Sequence, residues 1–187
     1  MTAWSDHGTT ATVTPGGPMP VAVSGLQITS WQDQPASSLG WEALAASNPF
    51  SEPPFNVPQG KHPAAGAVIL ETDGRVWMVS PSNGFGGYTN TFPKGRVEQG
   101  LSMKASAIKE AAEETGLKVE LTGFLCDVPR STTHTRYFAA RRVGGNPADM
   151  GWETQAVHLV PRPLLPQMAA NSNDKLILVA ISSFQMG

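Results

Sequence analysis

Residues 102–116, Ser-Met-Lys-Ala-Ser-Ala-Ile-Lys-Glu-Ala-Ala-Glu-Glu-Thr-Gly, constrain this chain more than any other stretch. Ser102 is suited to cap a helix N-terminus and Gly116 to sit just past its end, so the spacing predicts a helix over residues 102–115. Ala105, Ile108 and Ala112 share one face and are small enough to lie close against a sheet. Glu110, Glu113 and Glu114, at i, i+3 and i+4, stand together on the other face. Around this helix the pattern is mostly extended. Residues 64–71 and 76–80 read as strands joined by a turn at Thr72-Asp73-Gly74-Arg75. Further strands are expected at 88–92, 119–128, 135–142 and 155–160, and a last helix at 173–184. Strands interleaved with helices over this length imply a mixed α/β layered domain.

The first 60 residues differ in kind. They hold no Lys or Arg and half of the 16 prolines, so all 13 basic residues lie between Lys61 and Lys175. The opening, through Thr14-Pro15-Gly16-Gly17-Pro18, has little to bury and reads as a loose arm. Residues 21–29 have strand composition, residues 41–46 could form a short helix, and four prolines make 48–59 irregular. The expected division is therefore a Pro/Gly-rich extension, partly ordered, over residues 1–60 and the principal domain over 61–187. Trp4, Trp31 and Trp41 would cover a sheet edge or form a homodimer contact.

A net charge of −2 and a pI near 6.1 argue against general affinity for a nucleic-acid backbone or an anionic membrane. The single cysteine, Cys126, excludes an internal disulfide framework; it reads as a core residue and suits a reducing, cytoplasmic setting. No apolar run approaches the roughly 18–20 residues needed to cross a bilayer. No basic residue precedes the first weakly apolar stretch, so no secretory leader is expected.

Three carboxylates on one helix face are ordinarily a solvated surface. Here Glu113 and Glu114 fall in the last turn, where the helix dipole favours cations, and within the helix no Lys or Arg follows four residues later. A divalent cation would turn that repulsion into coordination. Residues 95–117, GRVEQGLSMKASAIKEAAEETGL, resemble the Nudix box, G-x5-E-x7-R-E-U-x-E-E-x-G-U with U a bulky aliphatic. Gly95, Glu110, Glu113, Glu114, Gly116 and Leu117 are in register, and Thr91-Phe92-Pro93-Lys94-Gly95-Arg96 resembles the lead-in of members acting on nucleoside polyphosphates. Three positions depart from the box. Leu101 stands where it has Glu, Lys109 where it has Arg, and Ala111 where it has a bulky aliphatic; the altered pair supports the metal-binding carboxylates in the family.

The resemblance implies a Nudix-like α/β/α sandwich with a mixed β-sheet. It also implies hydrolysis of a diphosphate linkage in a nucleoside diphosphate joined to another group, assisted by Mg²⁺ or Mn²⁺. Expected substrates are dinucleoside polyphosphates, ADP-ribose-like or diphosphoinositol-like compounds. Glu110, Glu113 and Glu114 would hold the metal, with Glu113, Glu110 or Glu153 as the base. Glu153, in the loop before the last strand, is either such a group or an ordinary loop acid; Glu98 has a weaker claim of the same kind. Lys94 and Arg96 flank Gly95 and are candidates for phosphate contact or plain solvation. Arg130 and His134 would contact phosphate or base, or belong to a simple hairpin. Phe85 or Tyr88 could stack a base or pack on the sheet. Arg136, Arg141 and Arg142 could equally face outward from a strand. Small-molecule nucleotides are the expected partners, without nucleic acid or membrane. The alternative is a nucleotide-binding Nudix module with weak or no catalysis, acting as a sensor, for which Leu101 and Lys109 speak.

Overall fold

The computed structural model describes residues 1–87 and 89–185, and of residues 85–87 the backbone alone. The strands are β1 (Ala11–Val13), β2 (Ala22–Val23), β3 (Leu26–Gln27), β4 (His62–Leu70), β5 (Val76–Pro81), β6 (Lys94–Arg96), β7 (Leu117–Pro129), β8 (Thr133–Gly145) and β9 (Thr154–Val160). The helices are α1 (Ser38–Ala46), α2 (Met103–Thr115), α3 (Leu165–Met168) and α4 (Lys175–Ser183). One sheet runs in the order β1-β9-β5-β4-β8-β7, with β6 added on β4, while β2 and β3 make a separate small hairpin. Only β4 and β8 run parallel among its pairings; the rest are antiparallel.

Alternation along the strands sorts the core into two layers. Ala65, Ala67, Ile69, Trp77, Val79, Phe138 and Leu159 meet α1 and α2 on one face, through Trp41, Ala105, Ile108 and Ala112. Val68, Leu70, Val76, Met78, Tyr137 and Val160 meet Leu165, Ile177 and Ile181 of α3 and α4 on the other. The result is the expected α/β/α sandwich with a mixed sheet. Small side chains on α2 allow the close approach: Ala105 and Ala111 are wholly buried and Ile108 is 1% exposed.

The arm over residues 1–20 is not loose. β1 extends the sheet at β9, and Arg75, 1% exposed, donates to the carbonyls of Ala3 at 2.9 Å, Trp4 at 2.7 Å and Thr9 at 3.3 Å. Asp73 completes its partners at 2.8 Å. A buried guanidinium needs acceptors on every edge, and the arm supplies them from its backbone. Its lack of Lys and Arg hid that from composition. Trp4 lies against Trp77 with ring centroids 6.1 Å apart.

The strand expected at residues 88–92 is absent among the described residues. A 3-10 turn occupies Ser82–Gly87, and Thr91 makes a single bridge to Val79. Pro93 stops any extension by lacking a donor. The stacking role considered for Phe85 or Tyr88 lies outside the described residues. Two of the three strand arginines are interior. Arg142 pairs with buried Glu71 at 2.7 Å, and Arg136 with Asp127 and Glu52, both at 2.8 Å; exposed Arg141 pairs with Glu120.

Candidate functional site

β4 changes partner along its length, and the site opens where it does. Ile69 and Leu70 pair with Trp77 and Val76 of β5, whereas Ala64, Ala65 and Gly66 pair with Arg96, Gly95 and Lys94 of β6. Between them lies a cleft of about 990 Å³, bordered by Lys94, Gly95, Arg96, Glu114, Arg130 and Glu153. Helix α2 is held in register beside it by its two ends. Ser102 Oγ accepts from the Ala105 N–H at 3.1 Å, and Gly116 takes a left-handed φ of 70°, which a side chain would strain.

Gly95 is small because Glu110 comes down upon it: a methyl group there would collide with the Glu110 carboxylate. The neighbouring N–H of Lys94 donates to Glu114 Oε2 at 3.2 Å. Two of the three helix acids therefore rest on the backbone of β6. Burial pushes the Glu110 carboxyl up to about 7, and the Glu113 charge adds to it. Burial pushes Glu114 up to about 8 against the pull of the Lys94 charge, while Glu110 and Glu153 push the same way as burial. Lys94 is lowered by burial and then by the Arg130 charge, with Glu114 opposing.

Glu113 points elsewhere. It is exposed and bound by Lys109 at 2.7 Å, and the same ammonium reaches Glu98, also at 2.7 Å. Leu101, at the box position for Glu, packs against the core instead, and its N–H closes a turn on the Glu98 carbonyl at 3.1 Å. The turn sets Glu98 where it meets Lys109. Among the described residues no three acidic, His or Cys side chains are grouped as ready metal ligands, and Glu113 is paired with Lys109. Glu110 and Glu114 do fit a divalent cation: both are hard oxygen donors whose ionised forms burial and mutual repulsion disfavour, and a cation would relieve both.

Of the other candidates, Arg96 is exposed at the cleft and Glu153 borders it. Arg130 borders the cleft but is held from behind, donating to the Tyr137 hydroxyl at 2.6 Å and to fully buried Asp174 at 3.0 Å. Thr91 Oγ1 donates to the other Asp174 oxygen at 2.9 Å. His134 lies apart from the cleft lining, stacked on Phe55 with centroids 5.3 Å apart. Sequence reasoning did not find Asp174, 44 residues from its arginine, or Trp152, which is 85% exposed at the cleft lip. An unexplained tryptophan beside a candidate acid was the signal for the latter.

The arrangement is a cation-lined cleft with the Glu114 carboxylate in its wall and Glu110 one turn earlier on the same helix, on a layered sheet that splits around it. The NUDIX domain matches residues 60–179, and the chain belongs to the Nudix family. It is 40% identical over 62 residues to the RNA pyrophosphohydrolase of Caulobacter vibrioides, covering 33% of this chain and 36% of that protein. The chain thus spans about a third of the length of the curated relatives it matches. Among solved structures it is similar to an ADP-ribose pyrophosphatase from Streptococcus suis, with a TM-score of 0.53 and 22% identity over 67% of this chain and 94% of that one. It is also similar to a C. elegans Ap4A hydrolase, with a TM-score of 0.54 and 20% identity over 65% and 94%. Identities this low speak for the fold alone. Among the described residues no helix is long and apolar enough to cross a membrane.

Proposed function

We propose that this protein is a divalent-metal-dependent pyrophosphohydrolase that cleaves a phosphoric anhydride bond in a nucleoside diphosphate joined to a second group. The observation that carries the reading is the placement of Glu110 and Glu114 on the β6 backbone, with Glu114 lining a cleft that also bears Lys94, Arg96 and Arg130. The pairing suits a polyphosphate, since cations neutralise its oxygens while carboxylates serve the metal. Mg²⁺ or Mn²⁺, when bound by Glu110 and Glu114, would supply further neutralisation of charge on the phosphate oxygens. Arg130 is oriented by Asp174 and Tyr137, so it meets an anion without first giving up its freedom. Arg96 at the rim guides the anion inward. Glu113 and Glu153 are the acids with solvent access, and they are the candidates to hold a water and take its proton. The half-buried Cys126, its thiol pushed up to about 12 by burial, suits a protein of the reducing cytoplasm.

The 62-residue likeness to an RNA pyrophosphohydrolase favours one second reading of the substrate, a 5′-polyphosphate end of RNA. The net charge of −2 leaves little for the rest of such a strand to bind. A further alternative is the nucleotide sensor, favoured by Lys109 holding Glu113. The test is hydrolysis of ADP-ribose, diadenosine polyphosphates, NADH, nucleoside triphosphates and 5′-triphosphorylated RNA, with Mg²⁺ or Mn²⁺ and then EDTA. Metal-dependent cleavage lost in Glu114→Gln is the expected result. Binding without cleavage of any compound would overturn the enzyme in favour of the sensor.

A further inference from the structure

A second cavity, of about 410 Å³, adjoins the cleft on the far side of the Trp152–Glu153 segment. Its walls come from two regions of the chain. Trp31 and Gln34 belong to the segment before the matched family domain; Glu113, Asp149, Trp152 and Glu153 belong to that domain. Trp152 and Glu153 border both cavities, which places the two side by side. The chemistry of the two differs sharply. The cleft carries Lys94, Arg96 and Arg130. The second cavity carries three carboxylates, one side-chain amide and two indoles, with no basic residue on its lining. Phosphate is therefore repelled from it, and an aromatic ring bearing N–H donors is suited to it.

The indoles are unequal. Trp31 is fixed, edge-on to Trp41 with ring centroids 5.8 Å apart and an interplanar angle of 87°, with the Lys118 ammonium 5.2 Å from its ring centre. It is a wall built into the extension. Trp152 is 85% exposed, a large apolar surface left uncovered at the junction of the two cavities. An exposed indole there has a use if a planar group stacks on it.

We infer that the second cavity is the base subsite of the nucleotide, with Trp152 as its stacking platform and Gln34 and Asp149 as acceptors for an amino-bearing base such as adenine or guanine. The inference rests on the pyrophosphohydrolase reading and extends it. Residues 1–60 then take part in recognition, and uracil, which lacks an exocyclic amine, is the disfavoured base.

The test has two arms. In the first, fluorescence of the full chain is titrated with adenosine and guanosine monophosphates and with inorganic tripolyphosphate, for wild type, Trp152→Ala and Trp152→Phe. This arm needs no catalysis, so it stands even if no compound is cleaved. The expected result is nucleotide binding weakened about tenfold or more in Trp152→Ala, largely rescued in Trp152→Phe, and tripolyphosphate binding changed by less than about twofold. Equal weakening for tripolyphosphate, or none for the nucleotides, overturns the subsite. In the second arm, on any substrate found cleavable, Trp152→Ala raises KM more than it lowers kcat, and Asp149→Asn narrows the preference for amino-bearing bases over uracil. A loss confined to kcat, or an unchanged base preference, overturns the assignment while leaving the pyrophosphohydrolase reading intact. Because Trp152 is so exposed, its replacement leaves the core untouched, and far-UV circular dichroism checks this.

Discussion

Replacing Glu114 by Gln should make the metal-free protein more stable at pH 8 than wild type while abolishing its response to metal. Burial holds the Glu114 carboxyl up at about 8 against an ordinary 4.5, so between those values the folded chain keeps a proton that the unfolded chain has lost. Stability then falls as pH rises through that window, the reverse of the usual carboxylate case. At about 1.4 kcal/mol per pH unit the ceiling is on the order of 5 kcal/mol. The Lys94 charge attracts the ionised form and local rearrangement relieves more, which brings the expectation to about 2 kcal/mol. For a chain of this size that is about 4–8 °C in Tm. Gln cannot ionise and keeps an oxygen for the Lys94 N–H. The assay is thermal unfolding in EDTA at pH 5 and pH 8. At pH 5 the two proteins should melt within about 2 °C of each other, and at pH 8 the Gln variant should melt higher. Adding Mg²⁺ at pH 8 should reverse the order, since only the native state of wild type binds it well. Parallel pH dependences in EDTA for the two proteins would refute the reasoning.

Three further outcomes follow from particular contacts. Lys109→Ala cuts the ties to Glu98 and Glu113 and should raise the Mg²⁺ concentration for half-maximal turnover about 10-fold or more. Because both acids are largely exposed, its thermal stability should change by less than about 1 kcal/mol in a denaturant melt. Gly95→Ala should displace Glu110 and lower kcat about 10-fold or more in a steady-state assay, with the far-UV spectrum intact. Arg75→Ala strands Asp73 and several carbonyls and should destabilise by about 3 kcal/mol in urea. Limited proteolysis should then cut within residues 1–20, where wild type resists.

The helix and its neighbours were readable because their signals are local. Ser102, Gly116 and the Ala105–Ile108–Ala112 face each act within a few residues of chain, and the strands at 64–71, 76–80 and 155–160 alternate or end at visible turns. What escaped depends on distant partners. The ordered arm rests on Arg75, whose acceptors are carbonyls 66 to 72 residues away, and backbone carbonyls have no residue code. The expected strand at 88–92 is reduced to the Thr91 bridge on Val79 of β5, and β6 follows at once after Pro93, a three-residue strand too short to show a period. Within the site, Glu110 and Glu114 were legible from spacing, but Glu113's diversion was not. Lys109 lies four residues before Glu113 and reaches Glu98 as well, a loop partner that helix spacing does not show.

The departures from the box form one coupled arrangement. A glutamate at position 101 would have to leave the apolar packing that Leu101 makes with the core, and burying an unpaired acid there is costly. The chain instead places its acid at Glu98, on the loop that the Leu101 N–H closes. That loop acid meets a flexible ammonium at 2.7 Å, a geometry that asks for a compact charge on a long stem more than for a planar fork. Lys109 thereby ties the loop after β6 to the helix that supplies the carboxylates, which is the positional task of the consensus pair. The cost falls on Glu113, which shares the same ammonium. Glu113 also borders the Trp31–Trp152 cavity, so any ligand seated there competes with Lys109 for it. Occupancy of the base subsite would in that way bear on the one helix acid of the three that does not rest on the β6 backbone.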